Sequence, residues 1–231
     1  MMVRIVLAAV LLCMGAQVGA AAEKGCASAA CINMVFDGDS ISAGIGAARD
    51  NTPDRLVARA LGHARVYNVA AGGRPVGECL RLFPDLVARL FVPGGEPNVI
   101  VFHGGDNDIR LGNDAAHTYA VFTSYVTSAH AQGWKVVVST ELRRFDFPAA
   151  KEAQLEAYND RLRENKAHAD AVVDLDAEPK FADEAYRGDP AVFSKDRIHP
   201  SDGGYAIMAD MLAPAVKRVA GREPVAKQTG H

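Results

Sequence analysis

The chain has 231 residues, 49% of them hydrophobic and 23% charged, with a formal net charge of −3. That balance is the profile of one compact domain with a sizeable core. With no basic excess there is no electrostatic ground for a nucleic-acid partner.

Residues 1–22 read as a secretory signal. Arg4 gives a short basic start, an apolar run extends from Ile5 to Met14, and small residues suit cleavage after Ala20 or Ala22. Gly15, Gln17 and Gly19 weaken the alternative of an uncleaved anchor. Cys13 lies inside the apolar run behind Leu11 and Leu12, a poor setting for a lipoprotein cysteine. The expected location is secreted or periplasmic, with no stable membrane insertion of the mature chain. Three cysteines follow. In an oxidising compartment one pair can close, Cys26 and Cys31 being nearest in sequence, and the other reading leaves three thiols with Cys79 buried on a helix.

Beyond the leader, short runs rich in Val and Ile at 33–36, 65–69, 98–102, 135–139 and 171–173 read as strands. Helical patterns fill the gaps at 53–61, 76–90 with a kink at Pro84, 114–132, 149–165 and 201–219. In the fourth, Leu155, Tyr158 and Leu162 recur at helical spacing among charged residues. Residues 92–97 and 143–148 read as loops and 221–231 as a frayed polar tail. The alternation predicts an α/β domain over 23–220, a three-layer α/β/α sandwich with a mainly parallel sheet of about five strands.

In such a sheet ligands bind at the carboxyl ends of the strands. Four polar segments fall at strand ends or in a late loop: Asp37-Gly38-Asp39-Ser40, Asn68 to Gly73, Gly104 to Asp108, and Asp196 to His199. In this order they resemble the SGNH hydrolase family, also called GDSL esterases and lipases. Gly38-Asp39-Ser40 matches the first block, Gly73 the second, Gly105-x-Asn107-Asp108 the third and Asp196-x-x-His199 the last. Asp106 departs from the family, where Thr is common. The resemblance implies a flavodoxin-like fold, carboxylic ester hydrolysis and no cofactor or metal. It implies Ser40, His199 and Asp196 as the catalytic residues, with an oxyanion hole built from the Ser40 N–H, the Gly73 N–H and the Asn107 side chain.

The chemistry explains these residue types without the name. A serine hydroxyl needs an imidazole to take its proton, and the imidazole needs a carboxylate to fix its tautomer. Asp196, three residues before His199, can supply that. Singly, each motif is an ordinary turn composition, and only their conjunction points to catalysis.

Two rival readings remain open on sequence. Asp37 and Asp39 could be the nucleophile pair of a magnesium-dependent, haloacid-dehalogenase-type phosphatase, with Asp106 and Asp108 on the metal. The cleft could also serve a non-catalytic binding module. Of the other residues, His103 reads as a hydrogen-bonded lining residue and Asp108 as a tie within its own loop. His63, His117, His130 and His168 show no partner pattern, and Trp134 reads as core. The loops at 45–53, 74–77, 110–113 and 143–148 are expected to line the pocket. There, Arg74, Arg110, Arg143 and Arg144 suggest an anionic feature in a small-molecule, lipid or glycan ester substrate. A monomer is expected.

Overall fold

The computed structural model describes residues 31–221. The leader, Cys26 and the tail from 222 onward lie outside them. Five strands, β1 (Ile32–Gly38), β2 (Ala64–Asn68), β3 (Asn98–His103), β4 (Lys135–Ser139) and β5 (Ala171–Val173), form one sheet. Its order is β2-β1-β3-β4-β5, and every neighbouring pair is parallel.

Around it lie α1 (Pro53–Leu61), α2 (Val76–Leu86), α3 (Asp106–Leu111), α4 (Ala115–Gln132), α5 (Ala149–Glu164), α6 (Pro179–Ala182) and α7 (Asp202–Val219). The strands are apolar on both faces because helices cover both. Met34, Phe36, Val99, Val101 and Val137 pack with Val57 of α1 and Tyr205 and Leu212 of α7. Val35, Ile100, Phe102, Val136 and Val138 pack with Phe83, Phe122 and Tyr158 of α2, α4 and α5. The expected three-layer sandwich is therefore present.

The five strands fall where the β-branched runs place them, to within two residues. Two helices escape the sequence pattern. α3 and α6 have six and four residues, too few turns to show an apolar stripe. α2 runs through Pro84 but ends at Leu86, and a separate 3₁₀ turn covers Ala88–Leu90. Cys31 is disulfide-bonded, while Cys79 is a free, buried thiol on α2.

The winding reverses between β1 and β3, so a crevice opens at their carboxyl ends. There the two backbones meet closely. Gly38 has φ +126°, and a Cβ on it would lie 1.8 Å from the His103 carbonyl oxygen. Gly38→Ala is expected to cost more than about 3 kcal/mol, since the clash is with backbone and adds to the strain of the dihedral. Gly62 has φ +75° but open space, so Gly62→Ala should cost only about 1–2 kcal/mol. Urea denaturation of the two variants checks the contrast.

Candidate active site

The turn after β1 is pinned to β3 before any catalytic group is placed. Asp39 N–H donates to the His103 carbonyl at 3.1 Å, and Ser42 Oγ donates to the same oxygen at 3.4 Å. Asp39 Oδ1 accepts the Ile41 N–H at 2.9 Å, closing the turn around Ser40. Among the described residues the Ser40 N–H has no acceptor.

His199 comes from the loop before α7. The Ser194 N–H donates to the His199 carbonyl at 2.8 Å, and Arg197 adopts φ 60° to turn the chain back. Gly46 lets this loop approach: a Cβ there would lie 2.6 Å from the Pro200 carbonyl oxygen and 3.1 Å from His199 Cβ. His199 Nε2 lies 2.8 Å from Ser40 Oγ, and its Nδ1 lies 2.6 Å from Asp196 Oδ2. The other carboxylate oxygen, Asp196 Oδ1, accepts from Ser194 Oγ at 2.8 Å and from the Ile198 and His199 N–H groups at 2.9 and 3.0 Å. Burial works against the charge of Asp196, but the His199 contact and these hydrogen bonds hold its carboxyl well below the usual range. Ser40, His199 and Asp196 thus form one chain of hydrogen bonds.

The remaining sequence candidates lie at the neighbouring strand ends. Gly73 sits in the turn after β2 with φ +75°, and among the described residues its N–H has no acceptor. That turn faces the serine, since a Cβ on Gly72 would lie 3.8 Å from Ser40 Cβ. Asn68 fastens it, donating to the Ser42 carbonyl at 2.9 Å and to Asp54 at 3.0 Å. Asn107 is buried at the start of α3. Its Oδ1 accepts from Arg110 Nε and Nη2, both at 3.2 Å, so the amide is oriented with Nδ2 as its free end.

Residues 36–207 match the model of the GDSL-like Lipase/Acylhydrolase family. The chain belongs to that family. No protein of curated description matches it in sequence. Its fold is similar to that of TesA, with 23% identity and a TM-score of 0.64 over 81% of this chain and 99% of that one. A lipolytic G-D-S-L protein from Veillonella parvula is 19% identical, with a TM-score of 0.67 over 83% and 100%. The acetyl xylan esterase AlAXEase is 21% identical, with a TM-score of 0.62 over 80% and 100%.

In this GDSL-family chain the polar residues beneath the site are committed to structure, which corrects several expectations. Asp37 accepts from Tyr125 Oη at 2.7 Å, from the Gly38 N–H at 2.8 Å and from Arg74 at 3.2 Å, leaving no open face for a phosphatase nucleophile. Asp108 does more than tie its own loop, because its Oδ2 accepts the Val76 N–H at 2.8 Å and anchors the start of α2. Asp106 pairs with Arg144, which also holds Asp146 at 2.8 Å. Arg143 pairs with Asp176 at 3.1 Å. Arg74, Arg143 and Arg144 are therefore paired internally, and Arg110 is turned onto Asn107. His130, expected to stand without a partner, contacts Asp170 at 2.9 Å.

His103 is a buried hydrogen-bonded residue, as expected, with Nδ1 2.8 Å from Ser139 Oγ and Nε2 3.2 Å from Glu141 Oε2. Glu141, two residues after β4, is a further buried polar residue at a strand end, in the same place as the other candidates. Asp39, His103 and Glu141 each bring one ligand-type atom within 4.8 Å of the others, and all three are buried. Burial, then the Asp106 and Glu141 charges, push the Asp39 carboxyl well above its usual value. Burial opposes the charge on His103, but Glu141 raises it overall.

A folded-state value raised above the unfolded one means that Asp39 stabilises the fold while protonated. That stability is fully present below the unfolded value near 3.8 and is lost as pH rises through the folded one. Stability should therefore fall between about pH 5 and pH 9, with Asp39 contributing at most about 1.4 kcal/mol per pH unit. Asp39→Asn, which keeps the acceptor for Ile41, should make that slope shallower. Urea titrations at both pH values check it, and an unchanged slope counts against a protonated Asp39.

Proposed function

We propose that the protein is a serine esterase in which Ser40 attacks the carbonyl carbon of a carboxylic ester. The observation that carries this reading is the continuous contact from Ser40 Oγ to His199 Nε2 at 2.8 Å and on to Asp196 at 2.6 Å. In the first step the serine Oγ–carbon bond forms while the hydroxyl proton passes to His199 Nε2. Asp196, accepting from Nδ1–H, keeps Nε2 free as the base and stabilises the charged ring that results. The carbonyl oxygen becomes an oxyanion, for which the unengaged Ser40 N–H, Gly73 N–H and Asn107 Nδ2 are the available donors. The carbon–alkoxide bond then breaks, with the leaving oxygen taking the proton from His199. Water attacks the acyl-serine by the same route, releasing the carboxylic acid and restoring the serine hydroxyl.

Arg110 acts in this scheme through Asn107. By holding Oδ1 it fixes which end of the amide faces the reaction, making it a positioning residue. The acyl-ester substrate class is supported by the family and by the similarity in fold to an acetyl xylan esterase and a lipase. Export is supported by the basic-then-apolar leader and by the disulfide at Cys31, a bond suited to an oxidising compartment. Among the described residues no helix is long and apolar enough to cross a membrane.

Ser40→Ala should lower hydrolysis of p-nitrophenyl esters by roughly 10⁴-fold or more in a protein that keeps its melting temperature. Wild-type rates in that variant would contradict the reading. Asn107→Ala should lower kcat by about a hundred- to a thousand-fold with little change in KM, because its contact exists only with the transition state. Arg110→Met should shift kcat in the same direction by less. A raised KM with kcat preserved would instead make Arg110 a substrate-binding residue.

A further inference from the structure

Arg187 differs from the other buried arginines. It is only 7% exposed, yet among the described residues no carboxylate lies within ion-pair distance of it. Its guanidinium carbon sits 4.8 Å from the centre of the Phe145 ring and 4.7 Å from that of Phe193, and Nη2 donates to the Arg143 carbonyl. Nη1 is buried without any hydrogen-bond partner. Of the nearby acids that oppose its charge loss, Asp146 is held by Arg144 and Asp196 by His199, while Glu152 faces Arg143 at 4.0 Å. Burial pushes its pKa down to about 10, so it remains cationic at neutral pH. A buried cation that no carboxylate contacts directly is costly unless a further anion approaches it.

A cavity of about 250 Å³ adjoins it. Its wall includes Arg187, Lys195 and Arg197, with Phe193 and Pro190 as an apolar side and no acidic residue. Lys195 and Arg197 are exposed, and Arg197 presents its side chain from a left-handed backbone. The volume is below the roughly 300–1,000 Å³ of sites that enclose a whole drug-sized ligand, and suits one functional group of a larger molecule. Ser194 joins the cavity to the reaction centre, since it lines the wall and its Oγ donates to Asp196 Oδ1 at 2.8 Å. Whatever occupies this space therefore lies against the loop that carries Asp196 and His199.

We propose that the cavity bounded by Arg187, Lys195 and Arg197 is an anion subsite that receives a carboxylate or phosphate group of the ester substrate. This rests on the esterase reading given above and deepens it to a substrate class, esters bearing a second, anionic group. Arg187 adds a cation to a wall that holds no acid, and the exposed Lys195 and Arg197 supply the ammonium and guanidinium donors that match carboxylate and phosphate oxygens. Substrates of this kind include an acylated acidic sugar and an acyl ester of a phosphate-bearing alcohol. The carboxylate and phosphate sources share the oxyanion, and two arms of one experiment tell a substrate group from a free ion.

The first arm titrates inorganic phosphate into Ser40→Ala protein by calorimetry, which needs no turnover and so does not depend on the esterase reading. One phosphate should bind, about ten- to a hundred-fold more weakly once Lys195→Met and Arg197→Asn are added. Both positions are exposed, and Asn tolerates the left-handed backbone at 197. The second arm compares p-nitrophenyl butyrate with mono-p-nitrophenyl glutarate in otherwise wild-type protein carrying Lys195→Met. The kcat/KM for the anionic ester should fall by about tenfold while that for the neutral ester is kept, and phosphate should inhibit only the former. No phosphate binding, or binding that the variants leave unchanged, overturns the subsite. Phosphate binding with an unchanged anionic-to-neutral ratio overturns its assignment to the substrate and leaves a free-anion site. Loss of all ester hydrolysis with phosphate binding intact would count against the esterase reading instead.

Discussion

The close approach of β1 and β3 at their carboxyl ends is the constraint on which the site depends. Gly38 lies so near the His103 carbonyl that no side chain fits, and the same carbonyl receives the Asp39 N–H and the Ser42 hydroxyl. Backbone contact of this kind fixes the Ser40 turn to the strand whose next residues lead into Asn107. The proposed nucleophile, Ser40, and the proposed oxyanion donor, Asn107, are therefore positioned by the sheet. Preorganisation of this sort is what makes a hydrogen-bond donor effective toward a developing charge. The third component, the loop from Ser194 to His199, arrives from the far end of the chain and docks on Gly46.

Behind the reacting face lies a layer of buried charge that knits three strand ends together. Asp39 comes from the end of β1, His103 and Asp106 from the end of β3, and Glu141 and Arg144 from the segment after β4. Acidic Asp106, in the block next to Asn107, fits this arrangement because Arg144 stands opposite it. A carboxylate without that partner, next to Asn107, would oppose the negative charge that the proposed reaction develops there. The Arg144 guanidinium offsets the Asp106 charge, and burial together with the neighbouring acids raises the Asp39 carboxyl, which favours its neutral form.

Much of this was legible in the sequence because the signals are local. Each strand is a β-branched run, each long helix repeats at helical spacing, and Ser40, Asn107, Asp196 and His199 stand in compact blocks. The parts that were not legible depend on which side chains the fold brings together. Asp37 and Asp39 resemble a phosphatase motif until Tyr125, 88 residues away, is found on Asp37. Arg74 and Arg144 look like free surface cations until their partners Asp37 and Asp106 appear across the sheet end. Arg187 went unremarked for the opposite reason, since a missing partner has no sequence signature. α3 was missed because six residues cannot display a period, although it carries Asn107.

The central claim is that Ser40, activated by His199, is the nucleophile. The most direct measurement is covalent trapping: the folded protein is treated with a fluorophosphonate, digested and mapped by mass spectrometry. The account predicts a single adduct on Ser40 that fails to form when His199 is replaced by Ala, since the hydroxyl then has no base. An adduct on another serine, or full labelling of Ser40 in His199→Ala protein, would contradict it.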